Sequence, residues 1–196
     1  MARTFLVLYG SYRSNRMGIR LADYLIRRLS ERGDSAELID AKAVGLPMLD
    51  KRYMDYGPGE APAEMTRLAE KLRAADGFVF VEGEYNWGVQ PGLKNLLDHY
   101  FAEWQWRPAA VASYSAGRLG GVRGATALIP TLTELGMVAL PSMLSVGQIG
   151  QALDAEGQPT GDGGAALDHG FARFADELAW WADAAAEQRA RMAPPY

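Results

Sequence analysis

The chain has 196 residues, no cysteine and a formal net charge of −4, from 24 acidic and 20 basic side chains. This length favours one domain, residues 1–196, with a well-buried core. Without cysteine there are no disulfides, thiolate metal sites or cysteine nucleophile, which fits a reducing cytoplasm. The mild acidic balance gives no reason to expect nucleic acid or an anionic membrane surface as a partner. We expect neither a membrane-spanning segment nor a signal peptide.

Predicted strands and helices alternate along the chain. The apolar run at residues 4–9 predicts a central parallel strand, and apolar residues at helical spacing predict a helix over 17–32. Further strands are expected at 36–39, 77–81 and 108–115, and a fifth, interrupted by Pro141, at 138–140 and 143–146. Further helices are expected at 62–75, 92–101, 122–135 and 165–191, and a surface loop at 45–61.

This alternation predicts a three-layer α/β fold with a doubly wound parallel sheet and right-handed crossovers. Five strands in one domain favour the flavodoxin-like order 2-1-3-4-5 over the six-stranded dinucleotide fold. In such a sheet, ligands bind at the carboxyl ends of the strands, near the switch point between the first and third strands. The loops that follow the first, third and fourth strands are therefore the candidates for a site.

The loop after the first strand is GSYRSNRMG, residues 10–18. It carries the guanidinium groups of Arg13 and Arg16 and the hydroxyls of Ser11 and Ser14, and it leads into a helix N-terminus that suits a phosphate. A capped turn with solvated arginines explains this loop alone equally well. The loop matches neither the triphosphate-binding pattern GxxxxGK[ST] nor the dinucleotide pattern GxGxxG.

The other two loops add aromatic and glycine residues. In GEYNWGVQPGLKN, residues 83–95, the aromatic and amide groups suit a flat heteroaromatic ring with a hydrogen-bonding edge, although a packing loop is the alternative. In SYSAGRLGGVRG, residues 113–124, the glycines let the backbone approach a ligand closely. Together the three loops predict a phosphate cradle, a ring platform and a glycine-rich wall, and so a phosphorylated flat ligand.

Other chemistry has weaker support in the sequence. The two histidines, His99 and His169, lack metal-ligand spacing, so we expect no metal. No GxSxG elbow is present to indicate a serine hydrolase. Glu84 suggests either an acid–base catalyst or a side chain that fixes its loop through backbone N–H groups. The aromatic segment YFAEWQWRP, residues 100–108, indicates either core packing or a subunit interface.

Three stretches resemble the NAD(P)H-dependent FMN reductase and quinone reductase family of flavodoxin-like proteins: GSYRSNRMG, EYN followed by PGLKNLLD, and SYSAG followed by GG. They occur in the same order through nearly the whole chain. The resemblance implies FMN bound without a covalent bond. It implies phosphate contacts from Ser11, Arg13, Arg16 and Met17, ring contacts from Glu84, Tyr85, Asn86 and Trp87, and closure of the other ring edge by Ser115 and Gly117.

The resemblance has two departures. The family usually has proline where this chain has Gly83, which suggests a looser loop, and a small or polar residue where it has Trp87. An indole at this position could stack on the flavin, narrow the access of a substrate, or fill the core.

The function implied by the resemblance is oxidoreduction with FMN. NADPH or NADH would give a hydride to the flavin, which would pass electrons to a quinone-like or flavin acceptor. Because the flavin carries this chemistry, we assign no catalytic side chain. The alternatives are a flavodoxin-like electron carrier or redox sensor with a protein partner, and a flavin-free relative of the fold. The resemblance also implies a homodimer or a dimer of dimers. Aromatic side chains are enriched in interface cores, and the aromatic run offers four of them: Tyr100, Phe101, Trp104 and Trp106.

Overall fold

The structure is a computed structural model that describes residues 2–196, and its centre is a parallel sheet. The strands are β1 Thr4–Tyr9, β2 Ser35–Asp40, β3 Gly77–Gly83, β4 Pro108–Tyr114, β5 Val138–Ala139 and β6 Leu144–Val146. Their order is β2-β1-β3-β4-β5, with β6 also paired to β4, so the predicted flavodoxin-like order is confirmed. The predicted fifth strand is two short segments: β5 pairs with the start of β4 and β6 with its end. Pro141 lies between them and has no N–H to continue the ladder.

The helices cover both faces of the sheet. They are α1 Ile19–Glu31, α2 Ala41–Val44, α3 Ala63–Ala74, α4 Pro91–Asp98, α5 Val122–Glu134, α6 Ile149–Ala152 and α7 Gly161–Arg191. The predicted loop at 45–61 holds a 3₁₀ turn at Tyr53–Asp55, whose first N–H donates to the His99 carbonyl at 2.7 Å. None of the helices within residues 2–196 is both long and apolar enough to cross a membrane.

Helix α7 begins at residue 161, before the predicted start at 165. Its first turn contains the glycines Gly161, Gly163 and Gly164, which have a low helix propensity. Gly164 explains the difference, because a Cβ there would lie 2.8 Å from the Ala152 carbonyl oxygen and from Pro159. The glycine lets the helix start pack directly on the backbone of the preceding segment, which compensates for the low helix propensity of glycine.

Two apolar cores separate the three layers. One lies between the sheet and helices α1 and α7, and includes Val7, Val79 and Phe171. The other lies between the sheet and helices α3, α4 and α5, and includes Leu8 and Phe80. Successive residues of a strand face opposite cores, so a strand covered on both faces is apolar at every position.

The aromatic segment after α4 belongs mostly to the second core. Tyr100 and Trp104 are buried, and the Trp104 ring packs edge-on against Phe78 with centroids 5.0 Å apart. The expectation that these two side chains form a subunit interface is therefore wrong, because the protomer itself buries them. Phe101 and Trp106 are partly buried.

Candidate cofactor-binding site

The loops after β1, β3 and β4 meet at the carboxyl edge of the sheet, where they enclose a cleft of about 230 Å³. Parallel strands end at the same edge, so loops far apart in sequence come together. The predicted residues that line this cleft are Ser11, Arg13, Arg16, Met17, Glu84, Tyr85 and Ser115. The lining also contains residues that the sequence reading missed: Asn15, Gly83, Tyr114, Ala116 and Ile149. The predicted residues Asn86, Trp87 and Gly117 are not part of the lining.

Ser11 joins the first loop to the second. Its side chain is buried, and its hydroxyl shares a hydrogen bond of 3.0 Å with the Tyr85 hydroxyl. The Ser11 oxygen also accepts the backbone N–H of Arg13 at 3.4 Å. These contacts fix the start of the loop and direct its later residues toward the beginning of α1.

The two arginines of the first loop differ in their partners. The Arg13 guanidinium is exposed and has no ion pair or side-chain hydrogen bond with any residue in 2–196. Arg16 donates to Asp40 at 2.6 Å and lies over the Tyr9 ring, 5.5 Å from its centroid. The hydrogen bond to Asp40 raises the pKa of Arg16. Arg13 is therefore the cation available to an anion, and Arg16 already shares its charge with a carboxylate.

The strand register explains this Asp40 contact. Asp40 is the last residue of β2 and pairs in register with Tyr9, the last residue of β1. A carboxylate at that position lies at the same sheet edge as the first loop.

A tight turn carries Asn86 and Trp87. Tyr85 and Gly88 exchange backbone hydrogen bonds of 3.0 Å each, and φ is +50° at Asn86 and +72° at Trp87. Two left-handed central residues define a type I′ turn, which suits asparagine but is uncommon for tryptophan. Trp87 is 67% exposed, so the indole does not fill the core.

Glu84 and Arg123 fix the orientation of this turn. Arg123 Nε donates to Glu84 at 3.0 Å, and Nη2 completes an ion pair with the same carboxylate. The Arg123 guanidinium carbon also lies 4.3 Å from the Trp87 ring centroid, within the range of a cation–π contact. Glu84 is thus held by a side chain from α5 rather than by the backbone N–H groups that the sequence suggested.

The third loop is anchored to the segment after β6. The Ser115 N–H donates to the Val146 carbonyl at 3.1 Å, and the Ile149 N–H donates to the Ser115 carbonyl at 3.1 Å. The Ser115 hydroxyl donates to the Gly117 carbonyl at 2.9 Å. These contacts hold Ser115 in place at the cleft and use its backbone N–H, its carbonyl oxygen and its hydroxyl hydrogen.

Tyr114 lies at the end of β4, where it contributes to the cleft. Its hydroxyl accepts a hydrogen bond from Gln90 Nε2 at 2.9 Å and lies 3.4 Å from the Tyr9 hydroxyl. Burial raises the pKa of both tyrosines, so both are neutral phenols at physiological pH. The sequence reading treated Tyr114 as a strand residue, and its place at the carboxyl end of β4 was the available signal.

A second cavity of about 460 Å³ lies beside the cleft and shares Arg13 and Tyr85 with it. Its other lining residues come from the first loop, the segment after α2 and the start of α4: Gly10, Tyr12, Leu46, Met48, Pro91, Gly92 and Asn95. Asn95 holds the segment after α2 by accepting the Leu49 N–H at 3.0 Å and donating to the Pro47 carbonyl at 2.8 Å. The arrangement places an apolar recess next to the candidate cofactor cleft.

The strand order and the three-loop cleft define a flavodoxin-like protein. A likeness of fold extends to FerB, a flavoenzyme NAD(P)H:(acceptor) oxidoreductase of Paracoccus denitrificans, with a TM-score of 0.75 and 24% identity over 90% of this chain and 97% of the other. The sequence pattern of the family described as NADPH-dependent FMN reductase matches residues 4–151.

Individual relatives agree with this match. An NAD(P)H-dependent FMN reductase of Schizosaccharomyces pombe is 34% identical over 142 residues, which cover 70% of this chain and 70% of the relative. A quinone reductase of Pseudomonas putida is 32% identical over 138 residues, which cover 67% of this chain and 70% of the relative. The chain belongs to the NADPH-dependent FMN reductase family. This membership confirms the expected class, an oxidoreductase that uses FMN and NAD(P)H, over the electron-carrier alternative.

Proposed function

We propose that the chain holds FMN in the cleft between its three loops and passes electrons from NADPH or NADH to a quinone-like or flavin acceptor. The observation that carries this proposal is the exposed Arg13 guanidinium, which has no ion pair or side-chain hydrogen bond among residues 2–196. It lies in the same cleft as Tyr85, Tyr114 and Met17, and Met17 comes two residues before α1. A free cation at a helix N-terminus fits a phosphate, and the neighbouring aromatic groups fit a flat ring.

Each predicted residue has a role in this proposal. The phosphate is bound by Arg13, Ser11 and the amide groups at the start of α1. Arg16 attracts the phosphate more weakly, because Asp40 already neutralises part of its charge. Met17 packs beside them. Glu84 and Tyr85 border the isoalloxazine ring on one side, and Ser115 borders it on the other. Asn86, Trp87 and Gly117 lie on the same loops but outside the lining of the cleft, so they approach only the outer part of the ring.

When bound, FMN supplies the redox chemistry by accepting a hydride from the nicotinamide and returning electrons to the acceptor. The chain's own side chains bind, orient and exclude water. Trp87, exposed at the mouth and stacked on Arg123, restricts what reaches the ring. The apolar recess beside the cleft favours a flat acceptor such as a quinone.

We also propose a homodimer, in the cytoplasm. The exposed apolar side chains on the α4 side of the molecule are Tyr12, Met48, Leu49 and Met54. Apolar side chains grouped on one surface are typical of an interface between subunits. They replace the buried Tyr100 and Trp104 as the candidate interface. A chain without cysteine suits a reducing compartment.

Titration of the apo-protein with FMN and with riboflavin tests the placement of the cofactor. FMN and riboflavin share the ring and the ribityl chain and differ in the phosphate. We expect FMN to bind at least tenfold tighter, because a charge-assisted hydrogen bond contributes roughly 1.5–3 kcal/mol. Equal dissociation constants would contradict the assignment of the first loop to the phosphate.

A further inference from the structure

Buried polar side chains connect the cleft to the opposite face of the sheet. Glu82 and Gln90 are both 0% exposed. The Gln90 backbone N–H donates to Glu82 Oε1 at 3.1 Å, and Gln90 Nε2 donates to the Tyr114 hydroxyl at 2.9 Å. Glu82, Gln90 and Tyr114 thus form one hydrogen-bonded chain from a buried carboxyl group to the cleft.

Gly83 leaves space for the hydrogen bond between Gln90 and Tyr114. A Cβ at Gly83 would lie 2.6 Å from Gln90 Nε2 and 2.7 Å from Tyr114 Cζ. A larger residue would therefore displace the amide of Gln90 or the ring of Tyr114. This chain has glycine where the family usually has proline, and the structure gives a physical reason. The contact between Gln90 and Tyr114 occupies the space that a side chain at residue 83 would need.

Two acceptor oxygens in this hydrogen-bonded network have no donor. Glu82 Oε2 and Gln90 Oε1 are buried acceptors with no hydrogen-bond partner among residues 2–196. An ionised Glu82 would leave both oxygens without a donor in an apolar environment, which is costly. One proton on Glu82 Oε2 converts that oxygen from an acceptor without a partner into a donor.

Among residues 2–196, no cation pairs with Glu82 to offset a negative charge on it. Glu82 forms no ion pair within the described part of the chain, and its register neighbour on β4 is Ser113. On α5, Gly124 packs against the carboxyl group, and the adjacent Arg123 is paired with Glu84. Burial therefore raises the pKa of Glu82 to about 8, and the Gln90 N–H lowers it by less.

We propose that Glu82 is a positioning residue that remains protonated at neutral pH and, through Gln90, keeps the Tyr114 hydroxyl available as a donor to the ligand in the cleft. The protonated acid offers its hydrogen to Gln90 Oε1, so the Gln90 NH₂ group donates to Tyr114. The phenol hydrogen is then available to the ligand or to the Tyr9 hydroxyl, which lies 3.4 Å away. An ionised Glu82 needs a donor instead. The Gln90 amide then turns its NH₂ group toward Glu82, and its oxygen accepts the phenol hydrogen. This inference rests on the proposed placement of FMN in the cleft.

The dissociation constant of FMN, measured by fluorescence quenching between pH 7 and 9.5, tests the role toward the ligand. In the wild type we expect binding to weaken about threefold to tenfold above pH 8, the value of one hydrogen bond. Glu82→Gln cannot ionise and should change less than twofold, and Tyr114→Phe should lose the pH dependence. Glu70→Gln, the same change at an exposed position of α3, should behave like the wild type. A flat wild-type profile, or the same dependence in Glu82→Gln, would overturn the proposal.

The thermal midpoint of the apo-protein tests the protonation state without FMN. Because the pKa of Glu82 is raised from 4.5 to about 8, the folded state keeps a proton that the unfolded state releases, and wild-type stability falls as pH rises through this window. The midpoint of Glu82→Gln relative to the wild type should therefore increase from pH 5 to pH 8. If the difference in midpoint between the two proteins stays constant from pH 5 to pH 8, Glu82 is not protonated in the folded state, whether or not the protein binds FMN. An increasing difference in a protein whose cleft binds no FMN would reject the proposed function, and with it the role of Tyr114 toward FMN.

Discussion

At the scale of single residues, Arg13 and Arg16 show that two arginines on one loop need not share a role. Arg16 faces Asp40, and Arg13 faces solvent at the cleft. A guanidinium without a protein partner loses no internal contact when it binds a phosphate. The binding energy of the first loop should therefore depend more on Arg13 than on Arg16.

Arg13→Ala should weaken FMN binding by about tenfold to a hundredfold, because it removes a charge-assisted hydrogen bond worth roughly 1.5–3 kcal/mol. The fold should be unaffected, since the Arg13 side chain forms no ion pair or hydrogen bond with any residue in 2–196. Fluorescence titration of the apo-protein measures the dissociation constant. Arg173→Ala, on the exposed face of α7, is the matched control and should leave it unchanged. An unchanged FMN dissociation constant in Arg13→Ala would show that Arg13 is a solvated surface residue that does not contact the phosphate.

We expect Trp87 to affect the access of an acceptor to the flavin rather than the binding of the phosphate. Trp87→Ala removes an exposed indole and leaves the first loop intact. We expect the Michaelis constant for a quinone to change severalfold and the FMN dissociation constant to change less than twofold. Steady-state kinetics with small and bulky quinones, next to an FMN titration, measures both. A large loss of FMN affinity with unchanged quinone kinetics would place the indole against the cofactor instead.

At the scale of elements, the turn that carries Trp87 holds an unfavourable backbone conformation. The left-handed region costs a non-glycine residue roughly 1 kcal/mol or more. Trp87→Gly and Trp87→Ala both remove the indole and its contact with Arg123, but only glycine suits φ of +72°. We therefore expect Trp87→Gly to be more stable than Trp87→Ala by about 1 kcal/mol in urea unfolding. Equal stabilities would show that the turn relaxes to another conformation.

The elements themselves were largely predictable from the sequence. β1 occupies residues 4–9 as predicted, because a strand buried on both faces has an unmistakable apolar run. The three loops were predictable because each combines glycine with chemistry-bearing side chains directly after a strand.

Contacts between distant elements were not predictable in this way. Asp40 and Arg16 are 24 residues apart, and so are Gln90 and Tyr114. The strand register brings Asp40 close to Arg16. The lack of a Cβ at Gly83 leaves space for Gln90 beside Tyr114. The helical start of α7 was missed for a related reason, since close packing of Gly164 outweighs its weak helix propensity.

At the scale of the whole molecule, the exposed apolar side chains on the α4 side favour a second subunit. Met48→Glu combined with Met54→Glu should convert a dimer to a monomer, because charges are poorly tolerated in an interface core. Sedimentation velocity at micromolar concentration measures the change. Met192→Glu, at an exposed methionine near the carboxyl end, is the control. A wild-type protein that sediments as a monomer would contradict the dimer.

The central claim is that the cleft supports electron transfer from a nicotinamide to a small acceptor through bound FMN. Anaerobic stopped-flow absorbance of the FMN-loaded protein tests it most directly, with NADPH or NADH added first and a simple quinone second. We expect the flavin absorbance to bleach within seconds and to return when the quinone is added. Steady-state rates should then give parallel double-reciprocal lines, since both substrates use one ring in turn. A bound flavin that neither nicotinamide bleaches within minutes would contradict the account.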